Sequence, residues 1–404
     1  MEVKVIDQTM EKYVSNDEML GGALIIRKDD KVVYENTWGY ADFEKTKKTD
    51  EKCIYRMCSM TKPVIAVGIM ILVERGKLSI KDPVKKFISK FADAKVLKKE
   101  TFQKTLTASE SELLQMLESI QRKELELEDL DRDITISDLL SHSSGLGQGP
   151  LGELQRTILT KKEETLKEWT DNAASMILDF QPGKGTGYSP LTGFDILGRV
   201  IEIITGESLE GFCQKEIFDP LKMKNTGYRI TDEKRKKLVT LCTRENDRLV
   251  KVTDDEGLWD IEARTGYVSG SAGLFSTVTD YESFARMLCN FGEVSGKRIL
   301  KKESVEKLYK IIPEVEGDGI PGMEWGLGMI VRTDPEVCGE YITKDTYGWS
   351  GSYGTHFFIS PEDNLECVFV TNRVDLNGAF SYISKKIEEL VFNIFVKQEK
   401  TEEA

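Results

Sequence analysis

The sequence predicts an α/β (α+β) fold in which a helical region is inserted between two parts of one sheet. Three patterns carry this reading. Near the start, two strand-like runs, residues 22–27 and 31–38, flank the polar turn Lys28-Asp29-Asp30 and read as a hairpin. From Leu78 to about Leu258 helical periodicity and turns dominate, with no run of alternating strands. From Val268 onward glycine-marked strands return, so residues 1–77 and 268–404 are expected to share one α/β domain, with 78–267 as the helical domain.

Taken in order, the chain opens with a helix to about Val14, then the hairpin. The next strong element spans residues 59–76, an apolar run closed by Glu74-Arg75-Gly76, a charged last turn followed by a glycine suited to a C-terminal cap. Pro63 marks its start, because proline lacks an N–H and is tolerated in the first helical turn, where donors have no intrahelical partner. Ser59 therefore stands at a helix N-terminus. Helical patterns follow at 134–140, 166–178 and 194–205, strands at 326–332, 354–359 and 366–371, and an amphipathic last helix near 382–395. Residues 95–133 are rich in Lys, Glu and Leu and place Leu113, Leu114, Leu117 and Ile120 at helical spacing. They read as an inserted amphipathic helix, a surface decoration on the helical region in the simpler case and a lid or dimer contact in the sharper one.

A chain of 404 residues with 40% hydrophobic and 31% charged residues can bury a sizeable core in one large or two interleaved domains. The formal net charge of −13 disfavours nucleic acid or an anionic membrane as partner, and the short basic run 234–237 reads as a solvated helix face. Glu2, Lys4, Asp7, Glu11 and Lys12 interrupt the apolar core that a signal peptide needs. The longest apolar stretch, 64–73, is far shorter than the ~20 residues that span a bilayer. Seven scattered cysteines without a CxxC pair fit reduced thiols, so a cytoplasmic protein is expected. The two histidines stand in no metal-ligand spacing, and neither a metal nor another cofactor is expected.

The chemistry begins at Ser59-Met60-Thr61-Lys62. A serine and a lysine three apart at the start of a helix share a face and lie within reach of each other. A serine hydroxyl is a poor nucleophile until a neighbour takes its proton, and an ammonium does so only where burial or nearby positive charge lowers its pKa. The helix N-terminus adds partial positive charge and N–H donors for a developing oxyanion. Ser-x-x-Lys alone is a common exposed pattern. Here it opens a nearly all-apolar helix, where a lysine has no structural reason to stand unless it reaches a polar cavity.

Further elements follow in a set order: Ile134-Thr135-Ile136-Ser137-Asp138-Leu139-Leu140-Ser141-His142-Ser143-Ser144-Gly145-Leu146, then Tyr188-Ser189-Pro190, then Ser271-Ala272-Gly273-Leu274-Phe275-Ser276-Thr277, then Trp349-Ser350-Gly351-Ser352 with Gly354-Thr355 beyond. Together with Arg56-Met57-Cys58-Ser59-Met60-Thr61-Lys62-Pro63, this set resembles the penicillin-recognising serine hydrolases across nearly the whole chain. That group includes class C β-lactamases, D-Ala-D-Ala carboxypeptidases and related esterases. The resemblance implies an antiparallel sheet flanked by helices, an all-helical insertion and a cleft between them. It also implies Ser59 as the acylated nucleophile, Lys62 as its proton partner and Tyr188 as a second base. The backbone N–H groups of Ser59 and Ser352 would form the oxyanion hole, with Trp349, Ser350, Gly351 and Ser352 along the substrate.

Two departures from the family pattern bear on substrate. Trp349 stands where β-lactamases and carboxypeptidases carry a lysine that helps hold the substrate carboxylate, and an indole makes no ion pair. Pro190 replaces the asparagine of Tyr-x-Asn and has neither side-chain donor nor acceptor. Both resemble the esterase branch. A Ser-His-Asp triad would have to use His142 or His356, and no Gly-x-Ser-x-Gly elbow is present. His142 lies in a helix-end turn and reads as a structural hydrogen-bonding residue. His356 follows Gly354-Thr355 on a strand expected to border the cleft, where it either contacts substrate or faces solvent. The expectation is a carboxylesterase-like serine hydrolase of a small-molecule ester, working through an acyl-enzyme on Ser59. The alternatives are a β-lactamase, a D-aminopeptidase or carboxypeptidase, or an acyltransferase on the same machinery, and, in another class, a non-catalytic scaffold on the same fold.

Overall fold

Strand-forming sequences from the two ends of the chain meet in one seven-stranded sheet in the computed structural model, which describes residues 3–161, 164–253, 267–312, 320–339 and 341–397. Strands β1 (Gly21–Lys28) and β2 (Lys31–Gly39) form the expected hairpin, with Asp29 and Asp30 both at positive φ, the turn geometry that matches strand twist. The remaining strands are β3 (Met323–Trp325), β4 (Ile330–Arg332), β5 (Tyr347–Ser350), β6 (His356–Ser360) and β7 (Leu365–Val370). Their order is β3-β4-β5-β6-β7-β1-β2 and every neighbouring pair is antiparallel.

Alternation along the strands sorts the core into two layers. Ala23, Ile25, Phe357, Ile359, Val368 and Val370 face helices α2 (Thr61–Glu74) and α4 (Val278–Cys289). Leu24, Ile26, Phe358, Cys367 and Phe369 face α1 (Lys4–Ser15) and α5 (Tyr382–Phe392). Helix α2 is buried on every side from Thr61 to Leu72, as its unbroken apolar sequence requires, and Gly76 ends it at φ +65°. Helix α3 (Gly193–Thr205) packs against α2 from the helical region, Ile201 closing on Gly68.

Several expectations are corrected. The strand expected over 326–332 is only Ile330–Arg332, because Gly328 turns the chain at φ +89° and pairs it back onto Met323–Trp325. The helical region holds a hairpin, Cys242–Glu245 with Arg248–Lys251, around Asn246-Asp247 at positive φ. Its expected end near Leu258 lies outside the described residues. Residues 95–133 are not one helix: strands Lys95–Leu97 and Leu127–Asp129 pair at the base of helices Lys99–Thr105 and Glu110–Gln121. In the second helix Leu113 is buried, Leu117 and Ile120 pack beside it, and Leu114 is exposed. All seven cysteines are free thiols, and among the described residues no helix is long and apolar enough to cross a membrane.

Candidate active site

Ser59 lies in the 3-10 turn Cys58–Met60 that leads into α2, with Pro63 as the third residue of that helix. Cys58 opens the turn at φ +47°, a left-handed conformation that a β-carbon disfavours and that persists only where neighbours impose it. Thr61 Oγ1 donates to the Cys58 carbonyl at 2.7 Å and accepts the Leu274 N–H at 3.1 Å, while the Tyr281 hydroxyl donates to the Met60 carbonyl at 2.8 Å. Gly351, just beyond β5, backs the same turn. A Cβ there would clash with the Met57 carbonyl oxygen and Thr355 Oγ1, so only glycine lets the strand end abut the serine.

Lys62 is fully buried, and its three N–H donors meet three oxygens: Ser59 Oγ at 3.3 Å, the Pro190 carbonyl at 2.7 Å and the Ser271 carbonyl at 3.0 Å. None of these acceptors is a carboxylate. The rings of Tyr188 and Phe194 lie 5.0 and 5.8 Å from Nζ and add π-face attraction. The Ser271 carbonyl is held in place by Asp195 of α3, whose carboxylate accepts Ser269 Oγ–H at 2.8 Å, the Ser271 N–H at 2.9 Å and the Tyr267 hydroxyl. Asp195 was not among the residues singled out from sequence; its signal is a carboxylate in the first turn of an apolar helix, facing the core.

The Tyr188 hydroxyl donates to Ser59 Oγ at 2.6 Å and accepts from Trp349 Nε1 at 3.3 Å. The structure thus brings Ser59, Lys62, Tyr188 and Trp349 together from three separate stretches of sequence. Trp325, which sequence reasoning missed, stacks on Tyr188 with centroids 5.8 Å apart and planes 7° from parallel, and meets Trp349 edge-on at 4.7 Å. His142 sits behind this cluster, 4.3 Å from Trp325 and 4.9 Å from Tyr188 between ring centroids. Its Nδ1 accepts the Ser189 N–H at 3.1 Å and its carbonyl accepts the Gly187 N–H at 3.1 Å, so it grips both residues that flank Tyr188. Gln148 donates from its amide to the carbonyls of His142 and Gly187 and ties the grip shut. Burial, and then the nearby Lys62 charge, hold the His142 imidazole well below its ordinary pKa, so it is neutral.

A cavity of about 430 Å³ opens over Ser59. Trp325, Trp349, Ile320, Ala379 and Phe380 supply its apolar wall, Ser350 and Ser352 border it, and no charged side chain lines it among the described residues. Two expected substrate contacts lie elsewhere. Gly351 packs behind the nucleophile turn, and His356 is neither in the cavity nor in solvent. As the cross-strand partner of Ser350 on the α5 face, His356 is buried beneath it, where Glu388 waits.

An antiparallel sheet flanked by helices, with a helix-borne serine where an inserted helical region meets it, places the molecule among the serine hydrolases of the β-lactamase and penicillin-binding-protein superfamily. The chain belongs to the Beta-lactamase family, whose model matches residues 6–391. It is similar to Protein Rv1367c of Mycobacterium tuberculosis, 26% identical over 384 residues that cover 90% of this chain and 88% of the relative. It is also similar to Esterase EstB of Burkholderia gladioli, 24% identical over 391 residues, 91% and 89% of the two chains. The solved structure of EstCE1, a hydrolase with promiscuous acyltransferase activity, superposes with a TM-score of 0.76 at 23% identity and covers 96% of this chain and 97% of that one. Serine-hydrolase chemistry on this fold is therefore the family-level activity.

Proposed function

We propose that the protein hydrolyses neutral carboxylic esters through an acyl-enzyme on Ser59, with Lys62 and Tyr188 as its proton-transfer partners. The observation that carries the reading is the convergence of the Tyr188 hydroxyl and Lys62 Nζ on Ser59 Oγ, at 2.6 and 3.3 Å, beneath an uncharged cavity. Ser59 Oγ attacks the ester carbonyl and its proton passes to the Lys62–Tyr188 pair, which returns it to the departing alcohol. Water then repeats the sequence in reverse roles, cleaving the acyl-enzyme and restoring Ser59. The backbone N–H groups of Ser59 and Ser352 receive the developing oxyanion.

Trp349 fits this chemistry as a neutral donor. Its indole N–H lies 3.3 Å from the Tyr188 oxygen, where it stabilises negative charge on the phenol without attracting a substrate carboxylate. The apolar walls favour an ester over a β-lactam, whose carboxylate would find no cation among the described lining residues. Six of the seven free cysteines are buried thiols suited to a reducing compartment, and we extend the reading to a cytoplasmic enzyme.

The test is a nitrophenyl ester assay paired with fluorophosphonate labelling and mass spectrometry. The parental protein should turn over the ester and carry the adduct on Ser59, and Ser59→Ala should lose both. Undiminished hydrolysis by Ser59→Ala would sink the mechanism, and an unlabelled Ser59 in folded parental protein would favour a non-catalytic scaffold. Nitrocefin turnover exceeding ester turnover would reassign the enzyme to β-lactams.

A further inference from the structure

We propose that Asp179 is a positioning residue for the ester reaction, the anchor through which the insertion at 95–133 holds Tyr188 against Ser59. This rests on the reading of Tyr188 as a proton partner of Ser59, and adds a residue that lines no part of the cavity.

Asp179 is fully buried, and its carboxylate collects backbone donors. Oδ2 accepts the N–H groups of Gln148 at 2.9 Å and Gly149 at 2.8 Å, and Oδ1 accepts that of Gly152 at 3.1 Å. Gly149 is the N-cap of the helix Pro150–Leu159 and has no side chain to cap with, so Asp179 supplies the capping oxygens from a distant stretch of chain. A Cβ on Gly149 or Gly152 would stand 2.8 or 2.3 Å from a carboxylate oxygen, which is why glycine occupies both positions. A carboxylate sealed from water is costly unless such donors surround it. What this one fixes is the main chain of Gln148.

Gln148 passes that constraint to Tyr188. Its amide uses all four of its hydrogen-bonding positions: Oε1 accepts the Ser144 hydroxyl at 3.1 Å and the Gly145 N–H, and Nε2 donates to the carbonyls of His142 and Gly187. With its backbone N–H held and its amide saturated, Gln148 has one orientation, and Gly187 is the residue before Tyr188. On its other side Asp179 stands on the insertion. The Leu178 N–H donates to the Lys95 carbonyl at 2.9 Å, and the Leu178 carbonyl accepts the Leu97 N–H at 3.0 Å. The Gln181 side chain bonds the Asp131 N–H and the Asp129 carbonyl, both at 2.9 Å, and Phe102 meets Phe180 edge-on with centroids 5.7 Å apart. The insertion is therefore a brace: it holds residues 178–181, and Asp179 carries that hold to the loop of Tyr188.

Single-turnover acylation by a nitrophenyl ester resolves slow variants and is read beside kcat and KM. Asp179→Ala should lose about 10- to 100-fold in kcat, the scale of a misplaced reacting group, with KM nearly unchanged. Asp179→Asn, whose amide oxygen can still take the Gln148 and Gly149 N–H groups, should recover most of that loss. In a Tyr188→Phe background Asp179→Ala should slow acylation by less than about twofold further, because the hydroxyl it positions is gone. Parental kcat in Asp179→Ala, an equal loss in Asp179→Asn, or a loss carried undiminished into Tyr188→Phe overturns the proposal. If Asp179→Ala does not fold, Phe102→Ala, which loosens Phe180 from the insertion, takes its place in the same cycle; it should lose kcat in the parental background and nothing further in Tyr188→Phe, and any other pattern counts against the brace. Ser59→Ala and fluorophosphonate labelling are run alongside. Undiminished hydrolysis by Ser59→Ala removes the hydrolase reading and this proposal together, whereas a labelled Ser59 with parental kcat in Asp179→Ala removes the proposal alone.

Discussion

His142 accepts the backbone N–H of Ser189 through Nδ1 at 3.1 Å, and so fixes the residue that follows Tyr188. It does this from φ +54°, a conformation that asparagine tolerates better than most residues and whose side-chain oxygen can stand in for Nδ1. The expected outcome is a loss of about 10- to 100-fold in kcat for His142→Ala, with most of it recovered in His142→Asn and little change in KM. Steady-state kinetics on a nitrophenyl ester checks this. Equal loss in both variants would show that the ring's bulk, and not its acceptor, positions Tyr188.

The same residue links stability to pH. Its pKa is lowered on folding, so below the unfolded value of about 6.5 the unfolded chain binds a proton that the folded chain refuses. Stability present in full above that pH falls as the pH drops, by at most about 1.4 kcal/mol per unit from this group. Denaturant melts at pH 7.5 and 5.5 should show a steeper loss for the parental chain than for His142→Asn.

Tyr188→Phe keeps the ring stack with Trp325 and removes the hydroxyl that reaches Ser59. A fall of about 10²- to 10⁴-fold in kcat is expected, the usual range for a lost acid–base group, with the melting temperature nearly unchanged. Lys62→Met should fall at least as far. A variant of either kind retaining parental kcat would remove that residue from the proton path.

Gly351→Ala should cost about 1–3 kcal/mol, because the new methyl group overlaps the Met57 carbonyl oxygen and Thr355 Oγ1. The strain falls on the turn that carries Ser59. Activity should therefore drop more steeply than a melting curve predicts, which paired thermal and kinetic measurements will show.

Far from the cavity, Glu366 of β7 is buried beside Glu282 and Arg27. Burial, and then the Glu282 charge, push its carboxyl well above the usual range. Above about pH 4.5 the folded chain holds this proton more tightly than the unfolded chain does, so stability falls as the pH rises from about 4.5 through the folded value. Glu366→Gln should raise the melting temperature at pH 8 by roughly 2 to 4 °C and by less at pH 5.

What was legible in the sequence was local. Pro63 and Gly76 bracket α2, and Ser59 and Lys62 share its first turn, because a helix start and stop are written within a few residues. The strand at 326–332 came out short for an equally local reason that was passed over, the positive φ of Gly328. Asn246-Asp247 was a readable hairpin signal in a region that helical periodicity otherwise dominated. Asp195, Trp325 and the true surroundings of His356 were beyond reach, since each acquires its role from side chains distant in the chain. His356 meets Glu388, which pairs in turn with Arg332, only because β6, β4 and α5 come together, and no spacing rule encodes that.

The sheet takes its first two strands from the start of the chain and the rest from its end. On the ribosome, Ser59 and Lys62 are therefore made long before Trp349, Ser350 and the strands that shore them up. A nascent chain carries its nucleophile through the synthesis of about 300 further residues without the wall that shapes the cleft, and the long-range pairing of β1 with β7 must await residues 365–370. The walled cleft over Ser59 thus forms only after that last strand has been made.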